Sequence, residues 1–288
     1  MLKLKNLTKY YGTKKAISNV SFDINDGEIF GLVGLVGSGK TTVVRTILDY
    51  LISDRGIIEN GFKKEEIGYM PSEINLYQNL TVMDMFKHNN SFYKKDYMSN
   101  ALELAKKLNL DLKQKICELT LIELKKVGLV LTLMHDPKLI ILDESLKDLD
   151  LLTKREFETL IMTEKEKGKT ILFVTSSLVE TKNLCDRLAI IKNGKIVEVI
   201  SVSELKKYDF LVVTIIAKNI KKAKLPLKNM QIRESTNDKL QFIYTGNINE
   251  LLADLVNVEI EKLLIEESDL EDIFLHYFKE EYNDKIRA

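Results

Sequence analysis

Apolar residues occur in two patterns along the chain, short unbroken runs and helical spacing. Together these patterns predict a mixed α/β fold. Residues 28–33 (Glu-Ile-Phe-Gly-Leu-Val) form a short apolar run that is typical of a buried strand. After the next glycine-rich segment, apolar residues recur at helical spacing, at Val43, Val44 and Ile47. Residues 138–142 (Lys-Leu-Ile-Ile-Leu) form an unbroken run that predicts a central parallel strand buried on both faces. Residues 170–175 predict another apolar strand.

Shorter patterns predict the remaining elements of the first two thirds of the chain. Residues 1–33 alternate like the strands of a small antiparallel sheet beside the glycine-rich segment. Asp26-Gly27 and Asn193-Gly194 predict hairpin turns. Helical periodicity covers most of residues 81–135, where Thr81 followed by an acidic residue three positions on predicts a helix start. It returns over residues 153–167.

The pattern shifts near residue 208, which predicts a small C-terminal α+β domain at 208–288 after a first domain at 1–207. Its expected elements are strands at 210–217 and 239–244, a helix at 249–255, a loop around Pro226, and a last helix opened by Ser268 with Glu271.

Composition narrows the class of protein. The 288 residues suffice for one or two domains, and 43 basic residues balance 43 acidic ones, so no overall basic excess favours nucleic acid. Cys117 and Cys185 lie too far apart to form a metal or redox motif, which favours a reduced compartment. The N-terminus alternates like a strand rather than a signal peptide, and no apolar run approaches the ~20 residues that span a bilayer.

The glycine-rich segment lies between the first predicted strand and a helix, which is the context of a phosphate-binding loop. It comprises Gly34, Leu35, Val36, Gly37, Ser38, Gly39, Lys40, Thr41 and Thr42. Backbone N–H groups of such a turn cradle phosphate oxygens at a helix N-terminus. Gly37 and Gly39 let the backbone close around the anion, Lys40 reaches the β- and γ-phosphates, and the Thr41 hydroxyl binds Mg²⁺.

A second chemical feature follows the strand at 138–142. Asp143 comes directly after this buried run, where a Walker B aspartate lies, and it can hold the Mg²⁺ water shell. Glu144 is then placed to polarise a water for attack on the γ-phosphate. An acidic pair at the surface end of a strand is common, and the phosphate loop is what favours the catalytic reading here.

With these residues the chain resembles the nucleotide-binding subunit of ATP-binding cassette (ABC) transporters over nearly its whole length. Tyr11, before Gly12, matches the aromatic residue that stacks on adenine, and Asp150 matches the D-loop aspartate at the dimer interface. The segment from Cys185 to Lys195 is similar to a run of bacterial members. Residues 268–275 resemble the tail of drug, peptide and antibiotic exporters, the least specific of these matches.

The resemblance implies a P-loop NTPase fold: a RecA-like core, an antiparallel β subdomain, and a helical subdomain at about 72–135. It also implies ATP and Mg²⁺ as ligands and a dimer of such subunits. The chain would lie at the inner face of the cell membrane, docked through residues 72–115 on a separate transmembrane permease.

Three family motifs are altered. Ser72 stands after Pro71 where the family has a glutamine, and Glu73 is one residue out of register to replace it. The signature segment Leu-Ser-Gly-Gly-Gln corresponds to residues 119–123, where Thr120 keeps a hydroxyl and both glycines are replaced, by Leu121 and Ile122. Ser176 occupies the place of the switch histidine, nine residues before Cys185. Losing one such donor typically costs ~10²–10³ in rate.

These features favour an ATP-binding subunit of an export system, with slow hydrolysis or hydrolysis that depends on a partner. The partner subunit would be a second copy or, as the altered motifs favour, a complete ABC ATPase subunit. The main alternative is a catalytically weak regulatory ATP-binding protein that switches a protein partner without transport. A nucleic-acid-linked ABC ATPase is less favoured, because such proteins carry tandem cassettes or long coiled coils.

Overall fold

The computed structural model describes residues 1–205, 210–218, 220, 230–256 and 258–267. The chain forms two compact units. The first comprises residues 1–176 and 183–200, and the second comprises residues 177–182 and those from 201 onwards.

Thirteen strands are present among the described residues: β1 (Leu2–Tyr11), β2 (Lys14–Ile24), β3 (Ile29–Val33), β4 (Arg55–Asn60), β5 (Ile67–Met70), β6 (Leu139–Asp143), β7 (Thr170–Thr175), β8 (Arg187–Lys192), β9 (Lys195–Ser201), β10 (Phe210–Ile216), β11 (Met230–Ser235), β12 (Lys239–Thr245) and β13 (Lys262–Glu267). The same residues form eight α-helices: α1 (Lys40–Ile47), α2 (Val82–Asn90), α3 (Met98–Lys107), α4 (Leu121–Leu133), α5 (Leu151–Glu166), α6 (Leu178–Leu184), α7 (Val202–Leu205) and α8 (Ile248–Leu255).

The first unit is built on a six-stranded sheet with strand order β5-β6-β7-β3-β8-β9. Strands β3, β6 and β7 run parallel, and every residue in them is buried. Burial on both faces explains why their sequences are unbroken apolar runs. The central strand predicted at 138–142 is therefore confirmed as β6.

A three-stranded antiparallel sheet, β2-β1-β4, shares one core with this larger sheet. Leu4 of β1 and Val20 of β2 belong to the same buried cluster as Val44 of α1 and Leu172 of β7. The small sheet thus packs with α1, the helix that begins at the end of the glycine-rich segment. The order of α and β elements and the two sheets give the predicted P-loop NTPase fold.

Helices α2, α3 and α4 pack against one another in the segment between β5 and β6. Thr81 caps α2 as predicted, because its hydroxyl accepts a hydrogen bond from the Asp84 N–H at 3.1 Å. Helix α4 packs closely on residue Ile74, since a Cβ at Gly128 would lie 2.5 Å from the Ile74 Cδ1.

One predicted hairpin is confirmed and the other is wrong. Asn193 and Gly194 join the neighbouring strands β8 and β9, and both have positive φ, at 47° and 75°. Asp26-Gly27 instead joins two different sheets, because β2 pairs with β1 whereas β3 pairs with β7 and β8. Strand β3 is fully apolar and is buried between its parallel neighbours β7 and β8. The half-polar β2, as a hairpin partner, could not bury it in this way.

The second unit contains an antiparallel sheet of order β11-β12-β10-β13 with helix α8. Its core includes Val213 and Ile215 of β10, Phe242 of β12, and Leu251 and Leu255 of α8. The strands predicted at 210–217 and 239–244 and the helix at 249–255 are therefore present. The loop around Pro226 and the helix opened by Ser268 lie outside the described residues.

Candidate functional site

The predicted site residues lie in the segments that follow strands of the large sheet, at the carboxyl ends of those strands. Val33 pairs with Thr175, and Asp143 pairs with Val174, in parallel register. The segments that follow β3, β6 and β7 therefore emerge side by side, which brings the glycine-rich loop, Glu144 and Ser176 together. This juxtaposition follows from parallel pairing, because the carboxyl ends of parallel strands share one edge.

The backbone of the glycine-rich loop needs its glycines. Gly37 and Gly39 have φ of 82° and 108°, in the left-handed region that favours glycine. A Cβ on Gly34 would lie 2.3 Å from the Ile191 carbonyl oxygen, so backbone packing also excludes a side chain there. Helix α1 begins directly afterwards at Lys40, and its first N–H groups face the loop.

Lys40 is buried inside this loop. Its ammonium donates hydrogen bonds to the carbonyl oxygens of Gly34 at 2.6 Å and Leu35 at 3.2 Å. It also forms an ion pair with Glu144, at 3.3 Å from Nζ to Oε1. The loop lysine and the acidic residue of the neighbouring strand end are thus in direct contact.

Thr41 and Asp143 form the next contact, with the Thr41 hydroxyl donating to Asp143 Oδ2 at 3.4 Å. Burial, and then the charge of Glu144, raise the pKa of Asp143 to about 6, against the opposing influence of Lys40. Asp143 Oδ1 and the Ser38 hydroxyl are buried and have no hydrogen-bond partner among the residues that the structure describes. A hydroxyl and a carboxylate with a free oxygen fit Mg²⁺, which takes oxygen ligands and is commonly held by one or two carboxylates plus substrate phosphates.

Contacts with Lys40, Val174 and Ser176 hold Glu144 in place. Its own N–H donates to the Val174 carbonyl at 2.8 Å, and its φ of 51° is unusual for a non-glycine residue. Its Oε2 accepts hydrogen bonds from the Ser176 N–H at 3.3 Å and the Ser176 hydroxyl at 3.2 Å. Ser176 therefore lies beside the carboxylate that was predicted to polarise water.

The altered signature segment forms an ordinary helix start. Thr120 caps α4 in a reciprocal arrangement, since the Glu123 N–H donates to the Thr120 hydroxyl and the Thr120 N–H donates to Glu123 Oε2. Leu121 follows with 56% of its surface exposed. The structure thus presents an apolar side chain where the two glycines would expose backbone.

Two clefts meet at the loop. The first, of about 580 Å³, is lined by Val36, Gly37, Lys40, Thr41, Ser72, Glu73, Ile74, Asn75, Leu121, Leu124, Lys125, Glu144, Lys147 and Asp148. The second, of about 470 Å³, is lined by Tyr11, Lys14, Lys15, Ala16, Gly37, Gly39, Lys40, Thr41, Thr42 and Asn193. Together they surround the loop, with Tyr11 at one end and two of the altered motif positions, Ser72 and Leu121, at the other.

The clefts include residues that sequence patterns did not single out. Lys14 and Lys15 lie at the start of β2, and Asn193 lies in the β8–β9 turn. The pair of lysines three residues after Tyr11 was the available signal. Asp150 is less directly involved, because its carboxylate caps α5 by accepting hydrogen bonds from the N–H groups of Leu152 and Thr153.

Comparisons with known proteins agree with this geometry. A family profile described as "ABC transporter" matches residues 17–147. The chain is 33% identical over 266 residues to the uncharacterized ABC transporter ATP-binding protein MJ1023 of Methanocaldococcus jannaschii, covering 88% of this chain and 98% of that protein. It is 28% identical to the bacitracin transport ATP-binding protein BcrA of Bacillus licheniformis, covering 96% of each.

Solved structures show the same fold. A structure titled as the ATP binding subunit of an ABC transporter matches with a TM-score of 0.67 at 25% identity, covering 72% of this chain and 92% of that one. The dimeric, ADP- and phosphate-bound cassette MJ0796 matches with a TM-score of 0.64 at 24% identity, covering 70% and 99%.

The chain therefore belongs to the ABC transporter family, as one of its ATP-binding, ATP-hydrolysing subunits. Such subunits dimerise and work with transmembrane components. Within the part of the chain that the structure describes, no helix has both the length and the apolar character to cross a membrane.

Proposed function

We propose that this subunit binds MgATP in the two clefts and couples binding, with slow and partner-dependent hydrolysis, to export through a separate permease. One observation carries the proposal. Lys40 contacts Glu144 at 3.3 Å, and the residues next to them, Thr41 and Asp143, contact each other at 3.4 Å. Ser176 occupies the position next to Glu144. The residues expected to bind nucleotide and Mg²⁺ are present, whereas the glutamine and histidine expected to assist hydrolysis are replaced by serines.

Nucleotide binding follows from the loop and its surroundings. Tyr11, partly exposed at the second cleft, offers a face for adenine, and Lys14 and Lys15 add positive charge beside the triphosphate path. The N–H groups of residues 34–42 would cradle the phosphates, and Lys40 would transfer from the carbonyls of Gly34 and Leu35 to phosphate oxygens.

Thr41 and Asp143 would hold Mg²⁺, and the free Oδ1 of Asp143 is available to it or to its water shell. When bound, the ion neutralises charge on the β- and γ-phosphates. For its part, the protein keeps the Thr41 hydroxyl and the Asp143 carboxylate in contact before the nucleotide arrives. It thereby avoids the cost of ordering them at that moment.

Glu144 would orient the attacking water and accept its proton, once nucleotide has drawn Lys40 away from it. The Ser176 hydroxyl is too short to span from Glu144 to the phosphate as an imidazole would. Ser72 is likewise too short for the role of a glutamine. We therefore expect hydrolysis well below the ~1–10³ s⁻¹ typical of enzymes.

The altered signature segment bears on which partner subunit this chain needs. In a dimer the start of α4 would face the nucleotide of the other subunit, and Asp150 would lie at the interface. In a homodimer Leu121 and Ile122 would face both nucleotides, so a heterodimer with a complete subunit provides at least one intact signature. In either arrangement the chain would lie at the inner face of the membrane, docked on the permease.

Residues 72–115 would dock the permease. Two aromatic residues of this segment, Tyr77 and Phe92, are exposed and stack edge-on against His88 with ring centroids 5.2 Å and 5.1 Å apart. An exposed aromatic cluster of this kind is typical of a protein interface. The similarity to a bacitracin transport ATP-binding protein supports a transport system, and for this chain we propose export of drugs or peptides.

Co-purification tests this proposal. The tagged chain, expressed in its own cells and extracted from membranes, should retain a permease of several hydrophobic spans and a second ATPase subunit. Tyr77→Ser with Phe92→Ser should release the permease but leave MgATP affinity unchanged. Recovery of the chain with a non-membrane partner only, together with normal MgATP binding, would favour the regulatory alternative.

A further inference from the structure

A buried lysine of α4 reaches the loop that carries Glu144. Lys125 lies in the second turn of α4 and exposes only 5% of its surface. Its ammonium donates hydrogen bonds to the carbonyl oxygens of Glu144 at 3.4 Å and Ser145 at 3.4 Å, and to that of Lys147. A buried ammonium with several hydrogen bonds is an energetically demanding arrangement and indicates a specific role.

The loop that Lys125 contacts has an unusual backbone. Glu144 and Asp148 have φ of 51° and 60°, so non-glycine residues in the left-handed region lie at the first contacted carbonyl and directly after the last one. This path turns three carbonyl oxygens toward one point, where their dipoles repel one another. The Lys125 ammonium lies at that point and offsets the repulsion, which stabilises the path.

The same loop determines where the Glu144 side chain lies. Its backbone position allows the carboxylate to contact Lys40 on one side and Ser176 on the other. If the loop relaxed to a right-handed conformation at Glu144, the side chain would leave this place. The position of the water-polarising group therefore depends on a residue of α4 that is distant from it in sequence.

We propose that Lys125 is a positioning residue for hydrolysis: it holds the 144–148 loop in its left-handed path and so keeps the Glu144 carboxylate at the γ-phosphate side of the cleft. This inference rests on the proposed role of Glu144. It also gives α4 a mechanical connection to the site, because the helix capped by Thr120 contacts the Glu144 loop through this ammonium.

The test compares three variants. Lys125→Met keeps an unbranched stem and removes the donors, and Lys125→Arg restores donors to the same place. Lys126→Met is the matched control, because the neighbouring ammonium also bonds a carbonyl, that of Leu108 at 3.2 Å, and pairs with Glu156 at 2.8 Å without touching the loop. All three are studied as the full chain with MgATP.

Amide hydrogen exchange gives the deciding measurement. The N–H groups of Glu144, Lys147 and Leu149 are hydrogen-bonded within or beside the loop. Lys125→Met should raise exchange in peptides covering residues 143–150 by about tenfold or more, while peptides covering 34–42 stay unchanged. Lys126→Met should leave the 143–150 peptides unchanged. Equal exchange in wild type and Lys125→Met, or an equal rise in both methionine variants, would overturn the proposal.

Single-turnover hydrolysis of radiolabelled ATP, with protein in excess, adds the kinetic arm. Lys125→Met should lower the hydrolysis rate at saturating MgATP by about 10–100-fold, since misplacement of one catalytic group has effects of this size. Lys125→Arg should recover most of the rate. A loss confined to MgATP affinity would contradict a positioning role.

The two proposals fail separately. If Glu144→Gln leaves hydrolysis unchanged, the assigned role of Glu144 is wrong, whereas the exchange comparison still decides whether Lys125 holds the loop. If Glu144→Gln abolishes hydrolysis and Lys125→Met changes neither exchange nor rate, only the present inference is wrong.

Discussion

Replacing Lys40 by methionine should weaken MgATP binding by at least about tenfold while leaving the fold intact. Methionine keeps the unbranched stem that fills the loop and deletes the ammonium that bonds Gly34, Leu35 and Glu144. Because the nucleotide takes over these interactions, the variant loses one charge-assisted contact to phosphate and also leaves Glu144 without its counter-charge.

The size of the effect can be estimated from these contacts. A hydrogen bond to a charged group contributes about 1.5–3 kcal/mol, which corresponds to roughly 10–150-fold in affinity. The uncompensated negative charge of Glu144 close to the phosphates adds to this loss. For a wild-type binding free energy of about −5 to −8 kcal/mol, the variant would bind at about −6.5 kcal/mol at best, a dissociation constant at least roughly tenfold weaker than that of the wild type.

Isothermal titration calorimetry with MgATP tests this expectation, with urea unfolding as the check on the fold. Lys64→Met is a suitable control, because Lys64 is exposed, pairs with Asp49, and lines neither of the two clefts. It should bind MgATP like the wild type. Equal dissociation constants for wild type and Lys40→Met would refute the assignment of residues 34–42 as the phosphate loop.

Three further predictions concern catalysis, partnership and stability. Glu144→Gln should lower single-turnover hydrolysis without weakening MgATP binding, and an unchanged phosphate-release rate would show that another group polarises the water. The isolated chain should hydrolyse ATP very slowly, and mixing with its natural partner should raise the rate. That activity should fall more when the catalytic glutamate of the partner is mutated than when Glu144 is, and fast cooperative turnover by the chain alone would contradict this. Burial holds the pKa of His135 below its ordinary 6.5, so the unfolded chain binds a proton first as pH decreases. The free energy of unfolding should therefore decrease below about pH 6.5, and His135→Asn should reduce this slope in urea titrations at pH 5 and pH 7.5.

The sequence was most informative where local pattern and tertiary environment agree. Strand β6 is apolar because both its faces are covered, so the run at 138–142 predicted a central strand. Parallel pairing then placed Asp143 beside the glycine-rich loop. Asn193-Gly194 needed only local φ preferences to predict its turn.

Other features depend on contacts that no local pattern encodes. Asp26-Gly27 has the residues of a hairpin, yet it joins two sheets because long-range pairing determined the partner of β3. Strand β11 was missed because its sequence, Met-Gln-Ile-Arg-Glu-Ser, is largely polar at a sheet edge. Lys125 was missed because a lysine in a helix predicts solvent exposure, and only the fold brings three carbonyls to it.

The cap of α4 has an electrostatic consequence for the dimer. An uncapped helix start attracts anions through its free N–H groups and partial positive charge. Here the Glu123 carboxylate accepts from both the N–H and the hydroxyl of Thr120, and the backbone hydrogen bond from Thr120 lowers the pKa of Glu123, which keeps it ionised at neutral pH. The helix start therefore carries its own internal anion. A phosphate from a facing nucleotide would meet this negative charge, and the N–H groups of Thr120 and Glu123 are already bonded within the cap, so this face should attract a phosphate less than an uncapped helix start does. In an assembly of this subunit with a complete one, the two nucleotides would therefore differ. The nucleotide bound by this subunit would also be contacted by the partner's intact signature segment, whereas the partner's nucleotide would gain little from the start of α4.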